Sequence, residues 1–408
     1  MSHTIDPAVG NPAPARRRRS AKKSRLAVLD GLRLVAALMV VVYHYTAMDN
    51  PWSGHTRTIF PGLHRISQYG WTGVEVFFLI SGFVICMSSW GRSVSAFFVS
   101  RISRLYPAYW VAVLLSFAVI TVWPLVPLVR HVDGWTHVAV NMTMLQGGMG
   151  IPDVDGVYWT LFCELKFYLL FALLVVSRGV TYRNCVIFCC VWTVAGIVDY
   201  TASSQLLDMW SMPLFSPYFI AGIAFYLMYR FKPNAVLVGI VLVSFLLAEN
   251  QIVKRVGFNL TEPHRPIPSW PAQVVVALAF AFMALLALGV FDRVQWRWLT
   301  TAGVLTYPLY LLHEDIGWTI ISALRHKASP PVLVAGTVLA MMVLAYLLHR
   351  LVERPLGTRL SRWLKNASEE IRGLSRPAPA EAADRIGPDT AEPRQDRLAT
   401  SGRHVAAP

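Results

Sequence analysis

The residues of this sequence that could do chemistry are ionisable side chains inside long apolar blocks. The first block, at about 27–48, contains Arg33 and His44. Eleven helical steps of about 100° bring these two side chains back to nearly the same helix face, roughly 16 Å apart along the axis. Because such groups are costly inside a bilayer, each is a candidate for function. The structural alternatives are that Arg33 snorkels to lipid headgroups and that His44 makes an interhelical hydrogen bond.

Two further apolar blocks carry carboxylates. Glu75 lies in the first turns of the block at 71–89, where the dipole of a helix N-terminus would favour a negative charge. Glu164 lies about two turns inside the block at 157–177, a depth compatible with that of His44. A carboxylate there could orient the imidazole and stabilise its protonated form, as in a pair of a base and its orienting acid.

A pair of arginines precedes another apolar block. Arg101 and Arg104 stand three positions apart in a segment expected to be a cytoplasmic loop before the block at 105–125, and they share one face if that segment is helical. Planar guanidinium groups match phosphate oxygens in a bidentate way, so the pair could clamp the diphosphate of coenzyme A. Anchoring to lipid phosphates is the alternative, and the spacing alone does not exclude it.

A stripe of ring side chains runs through the block at 299–322. Tyr307, Tyr310 and His313 recur at every third position, and two carboxylates follow directly. A lone histidine in such a block more often packs and hydrogen-bonds between helices than catalyses a reaction. The neighbouring carboxylates favour a polar cavity instead.

Membrane-spanning helices must position all of these side chains. The chain has 408 residues, 55% hydrophobic and 15% charged, and its mean hydropathy is +0.47. These charges are too few to cover the surface of a soluble protein of this size. The apolar blocks therefore predict an all-α integral membrane protein with about ten transmembrane helices. The predicted spans are 27–48, 71–89, 105–125, 157–177, 184–200, 211–229, 234–249, 270–290, 299–322 and 330–350. Segment 135–150 is a weaker stretch, expected to be re-entrant or interfacial.

The net charge of +14 is distributed as in a membrane protein. Basic residues concentrate before the first block, in alternate short loops and near the C-terminus, which predicts that both termini are cytoplasmic. A nucleic-acid groove would need these charges on one surface, so nucleic-acid binding is not expected. We expect a disordered basic arm at 1–25, a transmembrane domain at 26–355, and a mostly disordered cytoplasmic tail at 356–408.

The motifs, taken in order, resemble the acyltransferase 3 family, which includes bacterial O-acetyltransferases of O-antigen, exopolysaccharide and Nod factor. The resemblance runs from about Leu26 to Pro355, and its specificity comes from the order of the motifs. They are D-G-L-R at 30–33 with His44, F-F-L-I-S-G-F at 77–83, Arg101-x-x-Arg104, W-T-L-x-x-E-x-x-F-Y at 159–168, Y-P-L-Y at 307–310 with His313, and E-R-P at 353–355.

The resemblance implies a site and a reaction. His44 would be the catalytic histidine, with Glu164 as a characteristic acidic position. Acetyl-CoA, or another acyl-CoA, would be the donor, and its binding residues would be Arg33, Arg101 and Arg104. The acceptor would be a hydroxyl of a cell-envelope or exported carbohydrate or glycolipid, at the bacterial inner membrane, with no metal. The residues expected to bind the acceptor are Glu75, Trp159, Tyr310 and His313.

Two departures from the family and two rival mechanisms stay open. Thr160 stands where serine is usual, and Leu165 stands where many members have a second glutamate; both could tune the acceptor site. The expected mechanism has His44 as general base, with an acyl-histidine as the alternative. The alternative function is a transporter or flippase of a lipid-linked sugar. The absence of visible inverted-repeat symmetry from the sequence argues against it.

Overall fold

A computed structural model describes residues 26–124, 134–202, 204–258, 266–294 and 296–374 of the chain. The predicted basic arm at 1–25 and residues 375–408 of the predicted tail lie outside this part. Two compact units are distinguished, Met1–Arg362 and Trp363–Pro408. The side chains discussed below belong to the first unit. The exceptions are residues near the end of the last described helix, which belong to the second unit.

The described residues form α-helices and short 3₁₀ and π segments, without a β-strand. Nine of the described helical segments are long and apolar enough to cross a membrane, which confirms an all-α integral membrane protein. The helices are α1 (Ala27–Thr46), α2 (Thr56–Ile59), α3 (Pro61–Ser67), α4 (Gly73–Ser89), α5 (Val94–Val122), α6 (Gly134–Asn141), α7 (Trp159–Phe171), α8 (Tyr182–Ala202), α9 (Gln205–Ser211), α10 (Ser216–Phe231), α11 (Ala235–Phe258), α12 (Trp270–Ala287), α13 (Arg297–Leu312), α14 (Asp315–Leu324), α15 (Pro330–Leu348) and α16 (Arg354–Leu374).

The predicted span at 299–322 is not one helix. It is divided into α13 and α14, and His313 and Glu314 lie at the break between them. Irregular backbone at membrane depth is tolerated only where it is buried in protein or lines a cavity. Both residues are indeed buried, with exposed fractions of 0% and 5%. The break therefore presents two ionisable side chains from irregular backbone inside the protein.

Side chains from other segments hydrogen-bond the backbone groups at this break. The Tyr45 hydroxyl of α1 donates to the His313 carbonyl oxygen at 2.7 Å. The Asp315 N–H, at the start of α14, donates to a carboxylate oxygen of Asp155 at 3.3 Å. Since helix ends otherwise leave such groups without partners, these bonds make the break a specified part of the fold.

Helix α5 begins earlier than the sequence predicts. Arg101 and Arg104 lie within Val94–Val122 and not in a loop before it. The Ser93 hydroxyl caps the helix by accepting the Ala96 N–H at 3.3 Å. Hydropathy locates the apolar part of a helix but not its polar first turns, which explains the error. The two arginines therefore have the helical spacing that places them on one face.

Helix α16 occupies the first part of the predicted disordered tail. It runs from Arg354 to Leu374, so the first residues of the tail predicted to be mostly disordered are helical. Leu356, Leu360 and Leu364 recur every fourth position, which gives the segment one apolar face despite its low average hydropathy. A tail inferred from composition alone misses that periodicity.

Two glycines allow α4 and α10 to cross in close contact. A Cβ atom on Gly82 would lie 2.1 Å from the carbonyl oxygen of Phe219, and one on Gly222 would lie 2.2 Å from that of Leu79. Both distances are far below van der Waals contact, so only glycine fits. Small residues at such crossings are the usual means by which membrane helices approach each other.

We expect Gly82→Leu to destabilise the protein by about 3 kcal/mol or more, because the new side chain must separate α4 from α10. The measurement is the thermal stability of the detergent-purified protein by size-exclusion chromatography after heating. Gly239→Leu is the matched control, since nothing lies within 4 Å of a Cβ at Gly239. Equal stability of the two variants would contradict this packing.

Candidate active site

His44 and His313 form a hydrogen-bonded pair. Nε2 of His313 lies 3.0 Å from Nδ1 of His44. Nδ1 of His313 lies 2.8 Å from the Tyr310 carbonyl oxygen, and Nδ1 of His44 lies 2.9 Å from the Val40 carbonyl oxygen. A carbonyl oxygen can only accept, so Nδ1 carries the proton in both neutral rings and the His44 N–H donates to His313. In this tautomer Nε2 of His44 is the unprotonated ring nitrogen and carries the basic lone pair.

The carboxylate of Glu314 lies beside that lone pair. Its Oε2 is 3.9 Å from Nε2 of His44, close enough to stabilise a positive charge on the imidazole once the ring is protonated. The Trp318 indole N–H donates to the His44 carbonyl oxygen at 2.9 Å and fixes the end of α1 against α14. Within the described residues, no group of three or more His, Cys, Asp or Glu side chains is placed to hold a metal ion.

Glu164 lies elsewhere, although the sequence places it at the depth of His44. One of its carboxylate oxygens accepts hydrogen bonds from the Ser81 hydroxyl, at 2.6 Å, and from the Tyr168 hydroxyl. The acid beside His44 is Glu314. The sequence indicated a polar cavity from the two carboxylates after His313, but it gave Glu314 no role in the site.

A cavity of about 110 Å³, called the central cavity here, brings together charged side chains that the sequence singled out. Its charged lining residues are Arg33, Arg101, Arg104 and Glu164. Three cations face one carboxylate, so the cavity favours an anionic ligand. The predicted donor residues, which come from α1 and α5, are thus neighbours in space.

A second cavity, of about 350 Å³, adjoins the first and is called the outer cavity here. Arg33, Arg104 and Tyr307 line both cavities. The outer cavity also contacts Leu26 and Asp30, at the N-terminal end of α1. The two cavities therefore follow one another from that end of α1 towards the interior of the protein.

The three arginines differ in their surroundings. Arg33 pairs with Asp30, with 3.4 Å between guanidinium nitrogen and carboxylate oxygen. Arg101 is buried and donates to the hydroxyls of Ser88 and Ser100 at 3.1 and 3.3 Å. Arg104 is exposed, and no hydrogen bond or ion pair engages its guanidinium within the described chain. Of the three arginines, Arg104 makes the fewest hydrogen bonds and ion pairs with other residues of the described chain.

Tyr310 separates the central cavity from the histidine pair. It lines the cavity, and its hydroxyl lies 2.9 Å from the Thr160 hydroxyl. Its ring centroid is 5.6 Å from that of His313. The Tyr310 side chain thus lies between the cationic cavity and the two imidazoles.

Glu75 and Trp159 meet at an arginine that sequence reasoning missed. Nε of Arg255 lies 3.1 Å from a carboxylate oxygen of Glu75. The guanidinium lies over the rings of Trp71, Trp159 and Phe215, at 5.3, 5.4 and 5.0 Å from their centroids. Cation–π contacts and the ion pair together compensate for the loss of water around the guanidinium. The position of Arg255 in the sequence, near the end of a predicted helix, did not indicate this pairing.

This aromatic-lined ion pair lies near the histidines. The hydroxyl of Thr160, the residue after Trp159, lies 2.9 Å from the Tyr310 hydroxyl, and the Tyr310 ring centroid is 5.6 Å from that of His313. Of the residues predicted to bind the acceptor, His313 belongs to the histidine pair, Tyr310 lies against it and also lines the central cavity, and Glu75 and Trp159 meet at Arg255. The residues predicted to bind the donor line the two cavities.

The chain is similar in sequence to several known proteins. The acyltransferase MdmB of Streptomyces mycarofaciens is 31% identical over 154 residues, which are 36% of this chain and 39% of that protein. The exopolysaccharide production protein ExoZ of Rhizobium meliloti is 36% identical over 108 residues, 25% of this chain and 33% of that protein. The peptidoglycan O-acetyltransferase OatA of Listeria monocytogenes is 26% identical over 159 residues, 35% of this chain and 23% of that protein.

These matches span less than half the length of each relative, and no solved structure matches the chain. The family match is much longer. The acyltransferase-domain model of the acyltransferase 3 type matches residues 26–350, a range that includes the histidine pair and all residues that line the central cavity. With its motifs in the expected order and its helices suited to a bilayer, the chain belongs to the acyltransferase 3 family.

Proposed function

We propose that the protein is an O-acyltransferase of the bacterial inner membrane. It transfers an acyl group, most simply acetyl, from cytoplasmic acyl-CoA to a hydroxyl of a cell-envelope or exported carbohydrate. The observation that carries this proposal is the position of His44 Nε2, 3.9 Å from a carboxylate oxygen of Glu314 and one aromatic side chain away from a cavity with three arginines. Such an arrangement offers a base next to a site for an anionic donor.

In the proposed reaction, His44 acts as general base. Its Nε2 takes the proton of the acceptor hydroxyl while the hydroxyl oxygen attacks the thioester carbonyl carbon. The carbon–sulfur bond then breaks, and the coenzyme A thiolate leaves with the proton returned by the imidazolium. His313 accepts a hydrogen bond from the Nδ1–H of His44, and Glu314 stabilises the transient positive charge on the His44 imidazole. An acyl-histidine relay is the alternative mechanism.

The donor is proposed to enter at the N-terminal end of α1, which the loop charges predict to be cytoplasmic. It would pass through the outer cavity beside Arg33 and Arg104 and place its thioester in the central cavity. Arginine is suited to the donor phosphates because its planar fork donates two hydrogen bonds at once. Arg101, which is buried and bonded to serines, contributes charge and holds α5 in place.

The acceptor is proposed to bind on the side of Glu75, Trp159 and Arg255. The aromatic rings there offer flat apolar faces, and the charged groups can order hydroxyls. A carbohydrate acceptor is also supported by the relatives, which include a peptidoglycan O-acetyltransferase and an exopolysaccharide production protein. His313 and Tyr310 would then separate the acceptor from the donor until both are bound.

The proposal is tested on envelope glycans. Mass spectrometry of glycans from a strain lacking the protein should show the loss of one acyl substituent, restored by the wild-type chain but not by His44→Ala. Purified protein should release coenzyme A from acetyl-CoA when given the glycan fraction of that strain. An unchanged acyl profile, together with no glycan-dependent release, would overturn the proposal.

A transporter or flippase of a lipid-linked sugar is the second candidate. The break between α13 and α14 favours it, because transporters often bind substrates at discontinuous helices. A transporter would move the sugar without releasing coenzyme A. Transport in proteoliposomes lacking acetyl-CoA would support this candidate, and dependence of product formation on acetyl-CoA would exclude it.

Replacement of Glu314 tests the proposed stabilisation of the imidazolium. We expect Glu314→Gln to lower kcat by about 10- to 100-fold with little change in the KM for acetyl-CoA, because the amide cannot offset the charge formed on His44. The measurement is acceptor-dependent release of coenzyme A. Asp208→Asn is the control, since it neutralises an exposed carboxylate on α9. A larger effect on KM than on kcat would assign Glu314 to binding instead.

A further inference from the structure

Four arginines outside the site described above line a third cavity. Arg350, Arg354, Arg359 and Arg362, with Pro355 and Thr358, surround about 380 Å³ at the junction of α15 and α16. All four arginines are exposed. No carboxylate lines the cavity, and within the described chain none of the four guanidinium groups has a hydrogen bond or ion pair. Four uncompensated cations around one space favour a multiply charged anion.

The helix supplies these cations in a fixed arrangement. Arg354, Thr358 and Arg362 follow one another at four-residue intervals along α16, with Arg359 beside them, so they share a face. The Thr358 hydroxyl donates to the Arg354 carbonyl oxygen at 2.8 Å. Its proton is therefore not directed at a ligand in the cavity. The four arginines, called the arginine cluster below, therefore come from α16 and from the π-helical turn His349–Glu353 that precedes it, and not from a loop.

The arginine cluster adjoins the proposed donor path. A Cβ atom on Gly357 would lie 2.6 Å from the carbonyl oxygen of Ser103, so the first turns of α16 touch α5 between Arg101 and Arg104. Glu353, the residue before Arg354, lines the outer cavity together with Arg104. The cluster is thus next to the end of the outer cavity that faces away from the histidine pair.

We propose that the arginine cluster binds the phosphates of the nucleotide part of acyl-CoA. This inference rests on the proposed function and deepens it by separating two tasks. The cluster holds the ribose phosphate and the adjoining phosphate of the diphosphate outside the transmembrane helices. Arg104 holds the other phosphate in the outer cavity, which also takes the uncharged arm that ends in the thioester. Guanidinium groups suit this ligand because each can bind a phosphate through two parallel hydrogen bonds.

Lipid headgroups carry the same phosphate chemistry and are the competing source. The position favours the nucleotide, because an arginine cluster used only for lipids has no need to adjoin the cavity that Arg33 and Arg104 line. The test must therefore compare ligands that differ only in the nucleotide, both without lipid and with anionic lipid present.

The experiment measures the Kd of the full chain, purified in neutral detergent, for coenzyme A and for pantetheine, which lacks the nucleotide. We expect Arg359→Ala/Arg362→Ala to raise the Kd for coenzyme A about tenfold or more, and to change that for pantetheine less than twofold. Arg183→Ala/Arg293→Ala is the control. It removes two exposed arginines that line none of the three cavities described and should change neither Kd.

Each outcome of these binding measurements either supports or overturns the assignment of the arginine cluster to the nucleotide. Equal effects on both ligands, or none on coenzyme A, would overturn the inference. So would a double variant that binds coenzyme A normally but no longer retains phosphatidylglycerol in mixed-lipid nanodiscs, which would make the cluster a lipid site. If the wild type binds coenzyme A through the cluster yet releases none from acetyl-CoA with glycan present, the inference stands and the proposed function fails.

Discussion

His44→Ala is expected to lower the rate of acyl transfer by about 10³-fold, within the range by which a positioned general base accelerates proton transfer. The variant loses His44 Nε2, the basic ring nitrogen that lies 3.9 Å from a carboxylate oxygen of Glu314. Since His44 does not line the central or the outer cavity, the Kd for coenzyme A should stay within a factor of two. The measurement is acceptor-dependent release of coenzyme A under saturating donor.

His326→Ala is the matched control, because it removes an exposed histidine that lies beyond α14. Activity above a tenth of the wild-type rate in His44→Ala would rule out His44 as the base. The same variant separates the two mechanisms. Acyl label trapped on the wild-type protein before acceptor is added, and absent from His44→Ala, would replace direct transfer with the acyl-histidine relay.

Arg104→Ala is expected to raise the KM for acetyl-CoA by about 10- to 100-fold. Its guanidinium lines both the central and the outer cavity and has no partner in the described chain. A charge-assisted hydrogen bond to a phosphate contributes roughly 1.5–3 kcal/mol, which corresponds to a change of that size. Arg104→Lys should restore part of the loss, because it keeps the charge but not the planar fork.

Two comparisons sharpen this expectation. Arg183→Ala removes an exposed arginine outside the cavities and should leave the KM unchanged. Arg101→Ala should lower the thermal stability instead, because the buried guanidinium holds Ser88 and Ser100 and its loss leaves their hydroxyls without this partner. If Arg104→Ala lowered kcat with an unchanged KM, its guanidinium would act on the reaction and not on donor binding.

Hydropathy predicted the membrane fold, and the ordered motifs singled out the charged residues that line the central cavity, for physical reasons that can be named. A helix that crosses a bilayer needs about 20 apolar residues whatever its neighbours are, so nine of the spans could be read from the sequence. The helical spacing of Arg101 and Arg104 likewise fixed their common face, and both line the central cavity.

The remaining features depend on tertiary contacts that no local pattern carries. The break at His313 and Glu314 is specified by Tyr45 and Asp155, which lie far away in the sequence. For that reason Glu314, and not Glu164, is the acid beside His44.

The pairing of Arg255 with Glu75 joins α11 to α4 across 180 positions. No spacing rule relates residues that far apart, so the sequence showed Arg255 only as a charge near a helix end. The arginine cluster is a similar case, since its place beside the outer cavity depends on the packing of Gly357 against Ser103.

The most direct test of the account uses proteoliposomes with acetyl-CoA on one side and the envelope glycan fraction on the other. The account predicts that coenzyme A is released only when glycan is present, that the glycan gains the acyl group, and that both events are lost in His44→Ala. Movement of glycan across the vesicle membrane without coenzyme A release would contradict it. So would acylation that persists at the wild-type rate in His44→Ala.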